Sequence, residues 1–160
     1  MKEIIKTMLR DFHVRGIPHF IERSIHVPLD SKKVVSLIGP RRAGKTYILY
    51  QTMAKVADKT NIVYLNFEDE RLDLQGKDMG VILDAFFELY PAKKEKDLYF
   101  FFDEIQEIQG WEKFVRRVYD TISPNIFITG SSAKLLSKEI ATSLRGRTIT
   151  YEIFPLSFAE

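Results

Sequence analysis

Gly39-Pro40-Arg41-Arg42-Ala43-Gly44-Lys45-Thr46 is a complete G-x-x-x-x-G-K-[ST] phosphate loop, preceded without a gap by the apolar run Val34-Val35-Ser36-Leu37-Ile38 and followed by an amphipathic segment. Its two glycines let the backbone turn tightly enough for N–H groups to converge on phosphate oxygens. A helix starting near Gly44 would add the positive end of its dipole. Lys45 would neutralise the β and γ phosphates of a nucleotide, and Thr46 would hold Mg²⁺ through its hydroxyl. The nucleotide-binding run is read as Gly39, Pro40, Arg41, Arg42, Ala43, Gly44, Lys45, Thr46 and Tyr47. Arg41 and Arg42 are not demanded by the motif; they add positive potential over the phosphates, stay solvated or face a partner. A plain glycine turn between strand and helix is the competing reading, and the motifs downstream argue against it.

Outward from the loop, strands alternate with helices. Upstream, Ile4, Ile5, Met8, Leu9 and Phe12 share one face of a first helix that ends near Gly16 and Pro18. The loop strand covers about 33–38, and the helix behind the loop turns Ile48, Leu49, Thr52, Met53 and Val56 inward. Residues 62–67 form a second strand, apolar enough to be buried on both faces. A helix carrying Met79, Ile82, Leu83, Phe86 and Leu89 stops at Pro91, and a charged turn leads to a third strand, 98–102. Gly110 opens a helix with Trp111, Phe114, Val115, Val118 and Ile122 inside; Trp111 on that face reads as core before base-stacking platform. Strand four is 126–128, a last helix spans about 132–142, and a final strand covers 148–153. This alternation predicts a parallel sheet with helices on both faces. Residues 1–32 are read as a lead-in helix and linker and 33–160 as the phosphate-loop domain. Phe154 to Phe158 is apolar enough to predict that a following domain covers it.

Asp103-Glu104 follows the third strand directly, at the carboxyl end where parallel sheets bind ligands. Behind a phosphate loop, Asp103 is expected to orient Mg²⁺, largely through its water shell, and Glu104 to polarise an attacking water. Thr129 and Ser131 end strand four; a hydroxyl there either bonds the γ-phosphate or the water, or caps the next helix, with Ser131 preferred for the first role. Arg145 and Arg147 flank Gly146 before the last strand. One of them reaches a neighbouring subunit's phosphoryl group, or both are helix-end cations. His13, His19 and His26 have no convergent acidic partners in sequence.

Composition narrows the class. The 160 residues suit about one domain. Twenty-four Lys and Arg against 22 Asp and Glu leave +2, too little for a global field toward nucleic acid or membrane. Without cysteine there is no disulfide framework, thiolate metal site or cysteine nucleophile. No apolar stretch approaches membrane-spanning length and the first residues lack a signal-peptide core, so the expectation is a cytoplasmic protein with no membrane partner.

Taken together, the phosphate loop, Tyr64-Leu65-Asn66-Phe67-Glu68-Asp69, Phe102-Asp103-Glu104-Ile105-Gln106, Gly110-Trp111-Glu112, Thr129-Gly130-Ser131-Ser132 and Leu144-Arg145-Gly146-Arg147 with Phe154-Pro155-Leu156-Ser157-Phe158 carry a resemblance over nearly the whole chain. The chain resembles the N-terminal ATPase domain of the predicted AAA+ superfamily ATPases of bacteria and archaea. The resemblance implies a P-loop NTPase with a five-stranded sheet ordered 5-1-4-3-2, in which strand four separates the loop strand from the acid strand. It implies Lys45 and Thr46 as loop ligands, Asp103 as the magnesium residue, Glu104 as the catalytic acid, Ser131 as a sensor and Arg147, or Arg145, as a finger. The chain departs from the family pattern by stopping at Glu160, before a helical lid or C-terminal region.

The leading expectation is Mg²⁺-dependent ATP hydrolysis, in a homo-oligomer acting on a protein or DNA partner that the sequence does not identify. A nucleotide-controlled switch with negligible turnover is the alternative from a different class. A small-molecule phosphotransferase is a third, disfavoured because no insertion supplies an acceptor pocket and arginine-bearing lid.

Overall fold

All five residues of the strand before the phosphate loop, Val34–Ile38 (β1), are buried, which requires cover on both faces of the sheet. The computed structural model describes residues 1–155. Lys2–Arg15 (α1) precedes β1, and Lys45–Met53 (α2), Ile62–Asn66 (β2), Val81–Leu89 (α3), Tyr99–Asp103 (β3), Trp111–Thr121 (α4), Ile126–Gly130 (β4), Ala133–Ser143 (α5) and Thr148–Glu152 (β5) follow it. The five strands form one sheet in the order β2-β3-β4-β1-β5, every pairing parallel, so β4 lies between the loop strand and the acid strand. This is the order implied by the resemblance, counted from the other edge.

Strand periodicity sorts the side chains between two cores. Phe100 and Phe102 point into a cluster with Ile5, Phe86, Trp111 and Leu136, while Phe101 points into the opposite one with Val35, Leu49, Met53 and Phe127. Phe101 and Phe127 stack with centroids 4.6 Å apart and planes 10° from parallel. Truncating one such buried phenylalanine to alanine costs about 3–5 kcal/mol.

Residues 1–32 are built into these cores. Helix α1 lies against α3 and β2 and buries Ile5 and Leu9, while Val27 joins the other cluster. Ile4, expected on the inner face, is instead exposed, because the buried stripe runs through Ile5 and Leu9 with Met8 and Phe12 half-buried beside it. Several expected bounds also move. Helix α2 ends at Met53 and Val56 is buried in the turn beyond it; Met79 is buried in the turn before α3, and Ile122 lies just past α4. Apolar periodicity reports burial, and burial continues past the last helical hydrogen bond. Strands β3 and β4 run farther than read, to Asp103 and Gly130, because their polar ends still pair in the sheet. Phe154 is exposed; the rest of the apolar run, from residue 156, lies outside the described residues.

Candidate nucleotide site

The loop leaves β1 between two neighbours. Gly39 N–H donates to Gly130 O at 3.3 Å, and Ile153 N–H donates to Ile38 O at 2.7 Å. A Cβ on Gly39 would collide with the Ile153 carbonyl, so this glycine is required for close approach. Arg42 and Gly44 take φ of 66° and 91°, wrapping the backbone around a concavity that ends at the N-terminus of α2.

Lys45 folds across that concavity and is almost wholly buried. Its Nζ donates to Gly39 O at 2.8 Å, Pro40 O at 2.9 Å and Ser131 Oγ at 3.3 Å, and lies 3.6 Å from Glu104 Oε1. Thr46 Oγ1 donates to Asp103 Oδ2 at 2.7 Å. Thr129 Oγ1 donates to Asp103 Oδ1 at 2.6 Å and accepts Glu104 N–H at 2.8 Å. Tyr64 shares a sheet face with Asp103, and its hydroxyl reaches Oδ2 at 3.2 Å. Glu104, at a left-handed φ of 52°, accepts at Oε2 from Ser131 Oγ and Gln106 Nε2, both at 2.6 Å.

The two adjacent acids are tuned apart. Burial pushes the Asp103 carboxyl up, against the pull of the Thr129 and Thr46 hydrogen bonds. Burial also pushes Glu104 up, but the Ser131 and Gln106 hydrogen bonds and the charges of Lys45 and Arg41 outweigh it and leave this carboxyl below its usual range. Among the described residues no Lys or Arg pairs with Asp103. A buried carboxylate beside a threonine hydroxyl, with no cation of its own, is a hard-oxygen donor set that fits Mg²⁺.

Lys45, Thr46, Asp103, Glu104 and Ser131 thus meet in one place; of the other expected residues, some line a cavity beside them and others point away. Arg41 is exposed and pairs with Glu68 at 3.3 Å. Arg42 and Tyr47 line a cavity of about 290 Å³ with Gly44, Lys45, Thr46 and Glu104. Arg147 is remote: its carbonyl accepts from Val34 N–H at the start of β1, and its Nε donates to Asp120 Oδ1 at 3.1 Å. About 13 Å of strand separates that end of β1 from the loop. Capping of α5 by Thr129 or Ser131 does not occur. Ser132 is the N-cap residue and makes no side-chain cap bond, whereas both hydroxyls are committed to the acid pair.

Sequence reasoning missed Tyr64, Gln106 and Arg23 and ranked Thr129 below Ser131. Tyr64 becomes legible only once the β2–β3 register is known, which sets it opposite Phe101 and so on the Asp103 face. Arg23 is not legible even then: its guanidinium donates to Ala43 O and Phe154 O at 3.0 Å each, and its backbone pairs with Gln51. These bonds hold residues 19–23 beside the loop, where His19, Phe20, Ile21, Arg23, Gly44 and Tyr47 line a second cavity of about 330 Å³.

A protein-family model described as AAA domain matches residues 31–160. The chain belongs to the AAA domain family. It is an AAA+-type P-loop ATPase domain, an ATP-hydrolysing class of enzyme. The AAA chain is 50% identical over 144 residues to an uncharacterised protein of Methanocaldococcus jannaschii, covering 88% of this chain and 30% of the relative. It is 41% identical over 135 residues to one of Haemophilus influenzae, covering 82% and 33%. The chain therefore spans about a third of the length of these curated relatives. Among solved structures it is similar to the Thermotoga maritima RuvB Holliday junction branch migration motor, with TM-score 0.50 and 20% identity over 95% of this chain and 43% of that one. A mutant form of the same motor gives TM-score 0.50 and 19% identity over 99% and 46%. These likenesses show a shared fold.

Proposed function

We propose that this AAA domain binds ATP with Mg²⁺ at the 39–47 loop and hydrolyses it with Glu104 as the base. The supporting observation is the convergence of Lys45, Thr46, Asp103, Glu104 and Ser131 from separate strand ends into one set of hydrogen bonds. Thr46 and Asp103 hold the metal, directly or through its water shell. When bound, Mg²⁺ neutralises phosphate charge and orients the group transferred. Lys45 exchanges its carbonyl partners in the loop for phosphate oxygens, and loop N–H groups cradle the remainder. Ser131, between Lys45 and Glu104, senses the terminal phosphate. The cavities meeting at Gly44 and Tyr47 take the sugar and base. Glu104 accepts a proton from water, and its lowered basicity keeps it ionised in the resting site.

Arg147 cannot reach its own loop, so its finger role belongs to a homo-oligomer in which it faces a neighbour's site. The work is done on a protein or DNA partner in the cytoplasm. RuvB is named a branch migration motor, and that analogy alone makes duplex DNA a partner to try.

Calorimetry and steady-state turnover test the reading. Lys45→Ala is expected to lose most ATP affinity, and Glu104→Gln to bind Mg-ATP normally but turn over at least about a hundredfold more slowly. Unchanged affinity in the first variant removes the loop assignment, and near wild-type turnover in the second removes Glu104. Tight binding without wild-type turnover, with or without added duplex DNA, identifies a switch instead of an ATPase.

A further inference from the structure

Gln106 is carried back onto Glu104 by the single 3₁₀ turn Ile105–Glu107, which opens from the left-handed backbone of Glu104. Its Nε2 and the Ser131 hydroxyl both donate to Oε2 of Glu104, whereas Oε1 lies on the Lys45 side, 3.6 Å from Nζ. The amide has one sensible orientation. Turned over, it would set its own oxygen against a carboxylate oxygen, two acceptors with no proton between them. The orientation has a cost, because Gln106 Oε1 is buried and finds no hydrogen-bond partner among the described residues. Few native polar groups are left so. Gly130 makes room for it: a Cβ there would come within 3.1 Å of Gln106 Oε1 and collide with Leu136 Cδ2.

We propose that Gln106 is a positioning residue for hydrolysis: with Ser131 it commits Oε2 of Glu104, so that Oε1, on the Lys45 side, is the oxygen presented to water. This rests on Glu104 being the base. One donor leaves a carboxylate free to swing about its last bond, and two donors from different segments remove that freedom. The Ser131 hydroxyl also accepts from Lys45, so its position follows that lysine; Gln106 has no second partner among the described residues.

The test compares Gln106→Met, which keeps side-chain length but has no donor, with Gln106→Asn, which keeps the amide on a shorter arm. Mg-ATP affinity by calorimetry is expected to stay within about twofold in both, while kcat falls about tenfold or more in Gln106→Met and less in Gln106→Asn. A readout independent of turnover is the side-chain amide of Gln106 in ¹⁵N-labelled, nucleotide-free protein. A downfield, slowly exchanging proton that is lost in Glu104→Ala supports the bond to the carboxylate, and its absence overturns the proposal. Wild-type kcat in Gln106→Met while Glu104→Gln is inactive overturns the positioning role alone. Hydrolysis surviving in Glu104→Gln instead overturns the base assignment. Faster turnover in Gln106→Met makes the residue a restraint, and parallel loss of binding and thermal midpoint in both variants makes it packing; either result overturns the proposal.

Discussion

Asp103 is a fully buried carboxylate that receives three hydroxyl donors, from Thr46, Thr129 and Tyr64. Of these, Thr129 is placed to matter most, because its one hydroxyl serves both acids: it donates to the Asp103 side chain and accepts the Glu104 N–H. Thr129→Val keeps the shape and strands both groups in a buried setting. The expected cost is about 2 kcal/mol or more of stability, read from the denaturant midpoint, together with weaker Mg²⁺ dependence of ATP binding. Thr129→Ser should recover most of both. A valine variant as stable as the parent would show that water replaces the hydroxyl.

At the scale of elements, the parallel sheet turns three strand ends into one site. β1 delivers the loop, β3 the acids and β4 the hydroxyls, with Leu37 opposite Thr129 and Ile38 opposite Gly130. Helix α1 is tied to this sheet at its far end by His13, whose Nδ1 lies 2.7 Å from Tyr90 Oη and Nε2 2.8 Å from Ile62 O. A carbonyl only accepts, so Nε2 carries the proton and Nδ1 accepts from the tyrosine. Burial holds this imidazole below its ordinary pKa of 6.5, with Lys93 adding to it, while the Ile62 carbonyl and Asp58 pull the other way. The unfolded chain therefore binds the proton first. The stability contribution is complete above the unfolded pKa and is lost as pH falls from there toward the lower folded value. The urea midpoint is expected to fall between about pH 7.5 and 5.5, and less steeply in His13→Gln. Equal slopes in the two proteins would remove His13 as the cause.

For the whole molecule, the decisive fact is that Arg147 and the phosphate loop occupy opposite ends of β1. If neighbours pack so that one copy's Arg147 reaches the next copy's loop, Arg147→Ala should keep ATP affinity and lose roughly 10³-fold in turnover, only in the assembled form. Mixing it with Glu104→Gln should restore part of the activity, at interfaces where intact Glu104 meets intact Arg147. No recovery in demonstrably mixed oligomers would return Arg147 to its contact with Asp120 as a structural ion pair.

By itself the amino-acid sequence determined the fold class, the strand succession and the residues of the phosphate loop and acid pair. Each of these is a local pattern: apolar runs of strand length, glycines where a turn needs them, and carboxylates directly after a buried strand. Only the tertiary structure decided which groups meet across the sheet. Thr129 and Ser131 both end one strand as hydroxyls, and sequence ranked Ser131 first without assigning either to an acid; pairing of β4 between β1 and β3 gives Thr129 to Asp103 and Ser131 to Glu104. Arg23 and the cavity beside Gly44 depend on a segment without regular structure folding back over the loop, and Gln106 depends on a left-handed residue that no periodicity announces. Partners distant in the chain are chosen by strand order and register, and those are properties of the assembled sheet.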